Sequence, residues 1–78
     1  MKLRFFGRLR HLAENGERDF ELPPAIESTE GLRASLGRDH PELLDPLVRI
    51  AIDDRLSHAD EPLGDAREIA FLPPVSGG

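Results

Sequence analysis

No cysteine occurs anywhere in the chain, and nothing else narrows its possible folds as much. With 78 residues and no disulfide, it must hold together on one small hydrophobic core, which leaves a thin margin of stability. The missing thiols also remove thiolate metal sites, iron–sulfur clusters and a cysteine nucleophile. Any sulfur carried covalently must sit somewhere other than a side-chain thiol. Apolar residues make up 38% and charged residues 32% of the chain, a balance that fits one globular, soluble domain rather than a disordered segment.

Charge and patterning exclude several classes. The formal net charge is −5, whereas nucleic-acid binders usually carry a basic patch. No apolar run is long enough for a transmembrane helix. The opening MKLRFFGRLR mixes charges into its apolar residues and does not read as a signal peptide, so a cytoplasmic location is expected. His11, His40 and His58 share no ligand spacing, and surface or capping roles are expected of them. Asp53, Asp54 and Asp60 lack the spacing of a calcium loop and read as turn formers. Ser57 and Ser76 have no adjacent base, which argues against a serine hydrolase.

The alternation of apolar and polar residues predicts five strands and one main helix. Lys2 to Phe6 is a strand with Leu3 and Phe5 on one face. Arg8 to Ala13 suits a helical turn, and Asn15-Gly16 is a turn signal. A second strand turns Phe20 and Leu22 inward and stops at Pro23-Pro24. Ser28 is placed as the N-cap of a helix running to Leu36, with Gly31 a weak point inside it and Gly37 at its end. Pro41 opens one further turn. Leu47 to Ile52 is the third strand, Asp53-Asp54 a turn, and Arg55 to Ser57 a short return strand. EPLGDA reads as a polar loop. Glu68 to Leu72 is the last strand, stopped by Pro73-Pro74. The order β-β-α-β-β-β implies an α+β fold, a single sheet covered on one face by a helix. Residues 1–72 form the domain and residues 73–78 a tail.

The tail, PPVSGG, ends on a free carboxylate, a poor electrophile until it is activated. The chain has no GxxxxGK[ST] loop to bind ATP, so a partner must do the activating. Gly77 and Gly78 suit a narrow partner site because they carry no Cβ. The six residues from Pro73 to Gly78 span about 20 Å when extended. The prolines stiffen the exit. The last four residues are expected to move freely in the isolated protein and to become extended on a partner.

At this point the sequence resembles the ubiquitin-like β-grasp sulfur carriers, most closely the branch of molybdopterin synthase small subunits. The opening LRFFGRLRHLAENG and the close EIAFLPPVSGG carry the resemblance, and the order of elements agrees over nearly the whole chain. Asp53 stands where that family often has Asn, and Asp65-Ala66-Arg67 where it often has Asp-Gly-Asp. The resemblance implies a mixed-sheet β-grasp fold and a function in molybdenum cofactor biosynthesis. It implies that Gly78 is adenylated by an E1-like activating enzyme using MgATP. A sulfurtransferase then converts it to a thiocarboxylate. The chain itself would bind no cofactor and would not be an enzyme alone. It would be the sulfur-donating subunit of a heterotetramer with the large synthase subunit, donating sulfur to a cyclic pterin precursor.

Alternation adds a surface to this. Phe6 lies on the charged face of the first strand and Leu72 on the outer face of the last. Paired neighbours would make them an apolar patch beside the tail's exit. The resemblance adds Leu56, Arg10, Pro73, Pro74 and Val75 to the partner surface. Arg8 and Arg10 fit equally a solvated turn or contacts with an acidic groove. Two other readings of the terminus stand beside this one. One is a ubiquitin-like modifier or a sulfur carrier for thiamine or tRNA thiolation. The other is an inert interaction module.

Overall fold

The computed structural model describes residues 1–74. Among these residues the strands are β1 (Lys2–Phe5), β2 (Glu17–Asp19), β3 (Arg49–Ile52), β4 (Arg55–Leu56) and β5 (Glu68–Leu72). The helix α1 covers Thr29–Leu36, and 3-10 segments cover Gly7–Leu12, Glu14–Gly16 and Pro41–Leu44. The sheet order is β2-β1-β5-β3-β4. β1 and β5 run parallel and the other pairs antiparallel. This is the expected mixed sheet with one main helix, the ubiquitin-like β-grasp. Leu3 and Phe5 of β1, Ile50 of β3, and Ile69 and Phe71 of β5 join Leu32 and Leu36 of α1 in one core cluster. Phe5 and Phe71 stack with ring centroids 5.6 Å apart. Fully burying one such side chain is worth about 1.5–3 kcal/mol.

Several boundaries differ from the sequence reading, each for a local reason. β1 ends at Phe5, but Phe6 keeps an extended backbone (φ −109°, ψ 160°). Its N–H donates to the Phe71 carbonyl at 3.1 Å, so pairing continues through it. β2 keeps only three residues. Its register puts Lys2 opposite Asp19, so Phe20 reaches Met1, to which its N–H donates at 2.8 Å. Among the described residues Glu21 and Leu22 have no strand partner. Phe20 and Leu22 still pack against the core from outside the strand.

β3 starts at Arg49 rather than Leu47, because the Asp45 carboxylate accepts the Leu47 N–H at 2.9 Å and holds a turn there. β4 stops at Leu56, one residue short of the expected return strand. There the Ser57 hydroxyl donates to the Ala59 carbonyl at 2.7 Å and bends the chain away. The EPLGDA segment is less polar than it reads, since Leu63 is a core residue. The expected turn at Arg8 to Ala13 is a 3-10 segment with Leu9 buried beneath it.

α1 begins as expected, with the Ser28 hydroxyl accepting the Gly31 N–H at 3.2 Å. Its end is different in kind. Gly37 is right-handed (φ −66°), so no left-handed cap demands a glycine. A Cβ at Gly37 would instead run into the Leu44 side chain. The residue is small so that the 3-10 segment Pro41–Leu44 can close over the helix end.

Candidate functional site

The outer face of the sheet is built by register. Residues opposite one another in paired strands share a face. Arg4 lies opposite Ala70, Ala70 opposite Ala51, and Ala51 opposite Leu56. One step toward the tail, Leu72 lies opposite Arg49, and the Phe6–Phe71 hydrogen bond places Phe6 on the other side of Leu72. The pattern thus brings Phe6, Leu72 and Leu56 onto one face, joined by two small alanines. Pro73 continues directly from that face.

The patch is less exposed than expected. Phe6 and Leu72 are half-buried, and Leu56 is 39% exposed. The Arg4 guanidinium sits over the Phe6 ring, 4.8 Å from its centroid, and reaches the Glu68 carboxylate at 3.5 Å. A cation at that distance from a ring is attracted to its negative face. Arg4 therefore shields Phe6 from water on one side. The most exposed large apolar residue among those described is Leu47, at 63%. It sits in the turn before β3, at the tail-exit end of the sheet, and the sequence reading had placed it in a strand. Its exposure follows from the Asp45 turn, which no alternation pattern reports.

The two arginines of the first loop separate. Arg10 lies with Arg4 and Phe6 around a shallow cleft of about 230 Å³, closed by Asn15, Gly16 and Glu17. Arg8 lines a different cleft with Leu9, His11, Glu42 and Asp45. Arg10 is on the side of the patch and Arg8 is not. The loop that sets this geometry turns at Asn15 (φ 54°) and Gly16 (φ 74°), both left-handed, which agrees with the Asn-Gly turn signal.

The histidines pair locally. His11 places Nδ1 2.7 Å from the Arg8 carbonyl and Nε2 3.1 Å from a Glu42 oxygen. A backbone hydrogen bond, then His11, hold the Glu42 carboxyl below its usual range. His58 meets Arg49 at 3.2 Å. Among the described residues no three His, Asp or Glu side chains gather as a metal site. Asp60 is a helix cap supplied from another loop, its carboxylate accepting the Glu30 N–H at 3.1 Å. That bond, with the Ser28 and Thr29 hydroxyls, lowers its pKa. Val75, Gly77 and Gly78 lie outside the described residues, as does the expected freedom of the tail.

A family model matches residues 3–78, the whole sheet but for Lys2: the ThiS family. The chain belongs to the ThiS family. It is also 32% identical, over 82 aligned positions, to the molybdopterin synthase sulfur carrier subunit of Escherichia coli strain K12. The match covers 100% of this chain and 99% of that relative. Both comparisons agree with the resemblance carried by the opening and closing motifs. This ThiS-family chain therefore has a sheet face whose apolar residues converge at Leu72, and its sequence runs on from there to Gly77-Gly78. Among its described residues no helix is long and apolar enough to cross a membrane.

Proposed function

We propose that the chain is the sulfur carrier of a molybdopterin synthase, acting in the cytoplasm. The observation that carries the reading is the end-to-end similarity to a molybdopterin synthase sulfur carrier subunit, reaching through the terminal Gly-Gly. An E1-like enzyme activates the Gly78 carboxylate with MgATP. The carboxylate attacks the α-phosphorus and pyrophosphate leaves. Sulfide-level sulfur, delivered with the help of a sulfurtransferase, then attacks the acyl carbon, AMP leaves, and Gly78 becomes a thiocarboxylate. The chain supplies no general acid or base to these steps. It supplies a carboxyl group at the end of a narrow tether and a surface that docks it.

That surface is the outer face at Phe6, Leu72 and Leu56, with Arg10 and the prolines Pro73 and Pro74 at its edge. It binds the large synthase subunit, with Val75 and Gly77 threading into the subunit's site. Two copies of each subunit form the working heterotetramer. Supporting this division of labour, the apolar face is continuous with the tail's root, and ordering a tail costs roughly 1–2 kcal/mol per residue in backbone entropy. The face must supply affinity while the tail supplies chemistry.

The test is reconstitution. Thiocarboxylated protein should convert the cyclic pterin precursor with the large subunit. Protein lacking Gly78, or extended by one residue, should fold normally and give no product. Normal turnover by the truncated form would end the proposal. Intact mass from native cells gives an independent check, because a carrier shows one oxygen replaced by sulfur, whereas a protein modifier shows large conjugates.

A further inference from the structure

β1 and β5 remain paired as they end, through the hydrogen bond from Phe6 N–H to the Phe71 carbonyl. The next residue along the first chain is Gly7, and the residue after Leu72 is Pro73. Gly7 is left-handed, with φ +55°. A Cβ added to it would stand 2.8 Å from Pro73 Cγ and 3.6 Å from Cδ. Neither neighbour can easily yield. The proline ring is closed on its own backbone and cannot rotate away. Pro73 is also half-buried and joined to the last residue of β5. Gly7 thus meets two demands at once: a backbone conformation that suits glycine, and an empty position filled by the Pro73 ring.

We propose that Gly7 is a positioning residue for the C-terminal segment: by admitting the Pro73 ring against its Cα, it sets the direction in which the chain leaves β5 at Pro73. This rests on the reading of Gly78 as the sulfur-bearing terminus. Five residues follow Pro73, from Pro74 to Gly78, enough to span at most about 16 Å. A side chain at position 7 displaces the root of that tether, and the displacement grows toward Gly78. Misplacing a reacting group by about 1 Å can cost on the order of a hundredfold in rate. Phe6, Leu72 and Leu56 lie on the outer face and are not the atoms a Cβ at position 7 would meet. The inference therefore separates docking from transfer.

The experiment has two arms. In the free protein, a nuclear Overhauser effect should connect the Gly7 Hα protons with Pro73 Hγ. It should be lost in Gly7→Ala as the Phe71 to Pro73 resonances shift. In the reconstituted synthase, thiocarboxylated Gly7→Ala should transfer sulfur in a single turnover about tenfold more slowly. Its affinity for the large subunit should match that of the parent protein. In a Pro73→Ala background, Gly7→Ala should add no further loss, because the colliding ring is gone. Absence of the Overhauser effect in the parent protein would overturn the proposal. So would parental transfer by Gly7→Ala, or an undiminished loss in the Pro73→Ala background, which would mark backbone strain rather than tail position. If Gly7→Ala fails to fold, Pro73→Gly empties the same contact from the other side and should slow single-turnover transfer at saturating large subunit, where a loss of docking at Pro73 itself no longer limits the rate. If the parent protein transfers no sulfur at all, the carrier reading fails, and the magnetic resonance arm decides the Gly7 contact alone.

Discussion

Arg33 shows how much one side chain can hold that the sequence leaves unmarked. In the structure its guanidinium donates to the Leu43, Asp45 and Val48 carbonyls at 2.9, 3.1 and 2.8 Å. Its Nε lies 3.0 Å from a Glu30 oxygen, an ion pair without an aligned hydrogen bond. The side chain is only 12% exposed. It ties α1 to the whole connection leading into β3. Arg33→Met should lower unfolding stability by about 2–3 kcal/mol, because three carbonyls lose a charged donor. Urea unfolding with an unchanged slope would check it. Arg33→Lys should recover only part, since an ammonium cannot fork across three acceptors. The patch residues predict a different signature. Phe6→Glu or Leu72→Glu should weaken binding to the large subunit by about 2 kcal/mol or more, with little change in thermal stability. Calorimetric titration showing parental affinity would remove them from the interface.

The turn between β3 and β4 shows what was and was not legible at the scale of an element. Asp53-Asp54 reads as a turn, and both residues are left-handed, at φ 46° and 68°. What the sequence does not report is that Asp53 Oδ1 accepts the Arg67 and Glu68 N–H groups at 3.0 and 2.9 Å. The turn thereby clamps the start of β5, the strand that ends at the tail. Only one carboxylate oxygen is used, so an amide could serve as well. Asp53→Asn should leave stability nearly unchanged. Asp53→Ala should cost about 0.5–1.5 kcal/mol, the net worth of hydrogen bonds whose donors water can reach once the carboxylate is gone. Asp54→Gly should add roughly 0.5–1 kcal/mol by relieving a left-handed non-glycine residue. Denaturant midpoints of the three variants test the ranking. Strand interiors were legible because alternation is local. The ends of β2, β3 and β4 were not, because they depend on where a partner strand runs out or a side chain captures a backbone N–H.

For the whole molecule, the order of elements and the core residues of β1, β3 and β5 were legible. The cross-links between loops were not, because they join residues far apart in sequence. Asp60 caps α1 from a loop 30 residues away, and Glu42 meets His11, 31 residues before it, at 3.1 Å; the Glu61–Arg55 pair at 2.9 Å joins nearer neighbours. These links predict how the fold responds to acid. The Asp60 carboxyl is lowered chiefly by the Glu30 N–H, Glu61 chiefly by Arg55, and Glu42 chiefly by a backbone hydrogen bond and then His11. Each therefore loses its proton more readily folded than unfolded. Their stabilisation is present above the unfolded values of 3.8 for Asp and 4.5 for Glu. It is lost as pH falls through the lower folded values. An opposing effect exists, since protonation also relieves repulsion in a chain of net charge −5. That repulsion acts over long distances and is screened beyond about 8 Å at 0.15 M salt, whereas these bonds are contacts. The Tm should therefore hold steady from neutral pH to about pH 5 and fall below it. Asp60→Asn should lower the neutral Tm and flatten the acid limb, because the variant has one fewer carboxylate to protonate. Melting curves across this range at 0.15 M salt decide between the two effects. A Tm that rises on acidification would mean that repulsion, not the loop contacts, governs the stability of the fold.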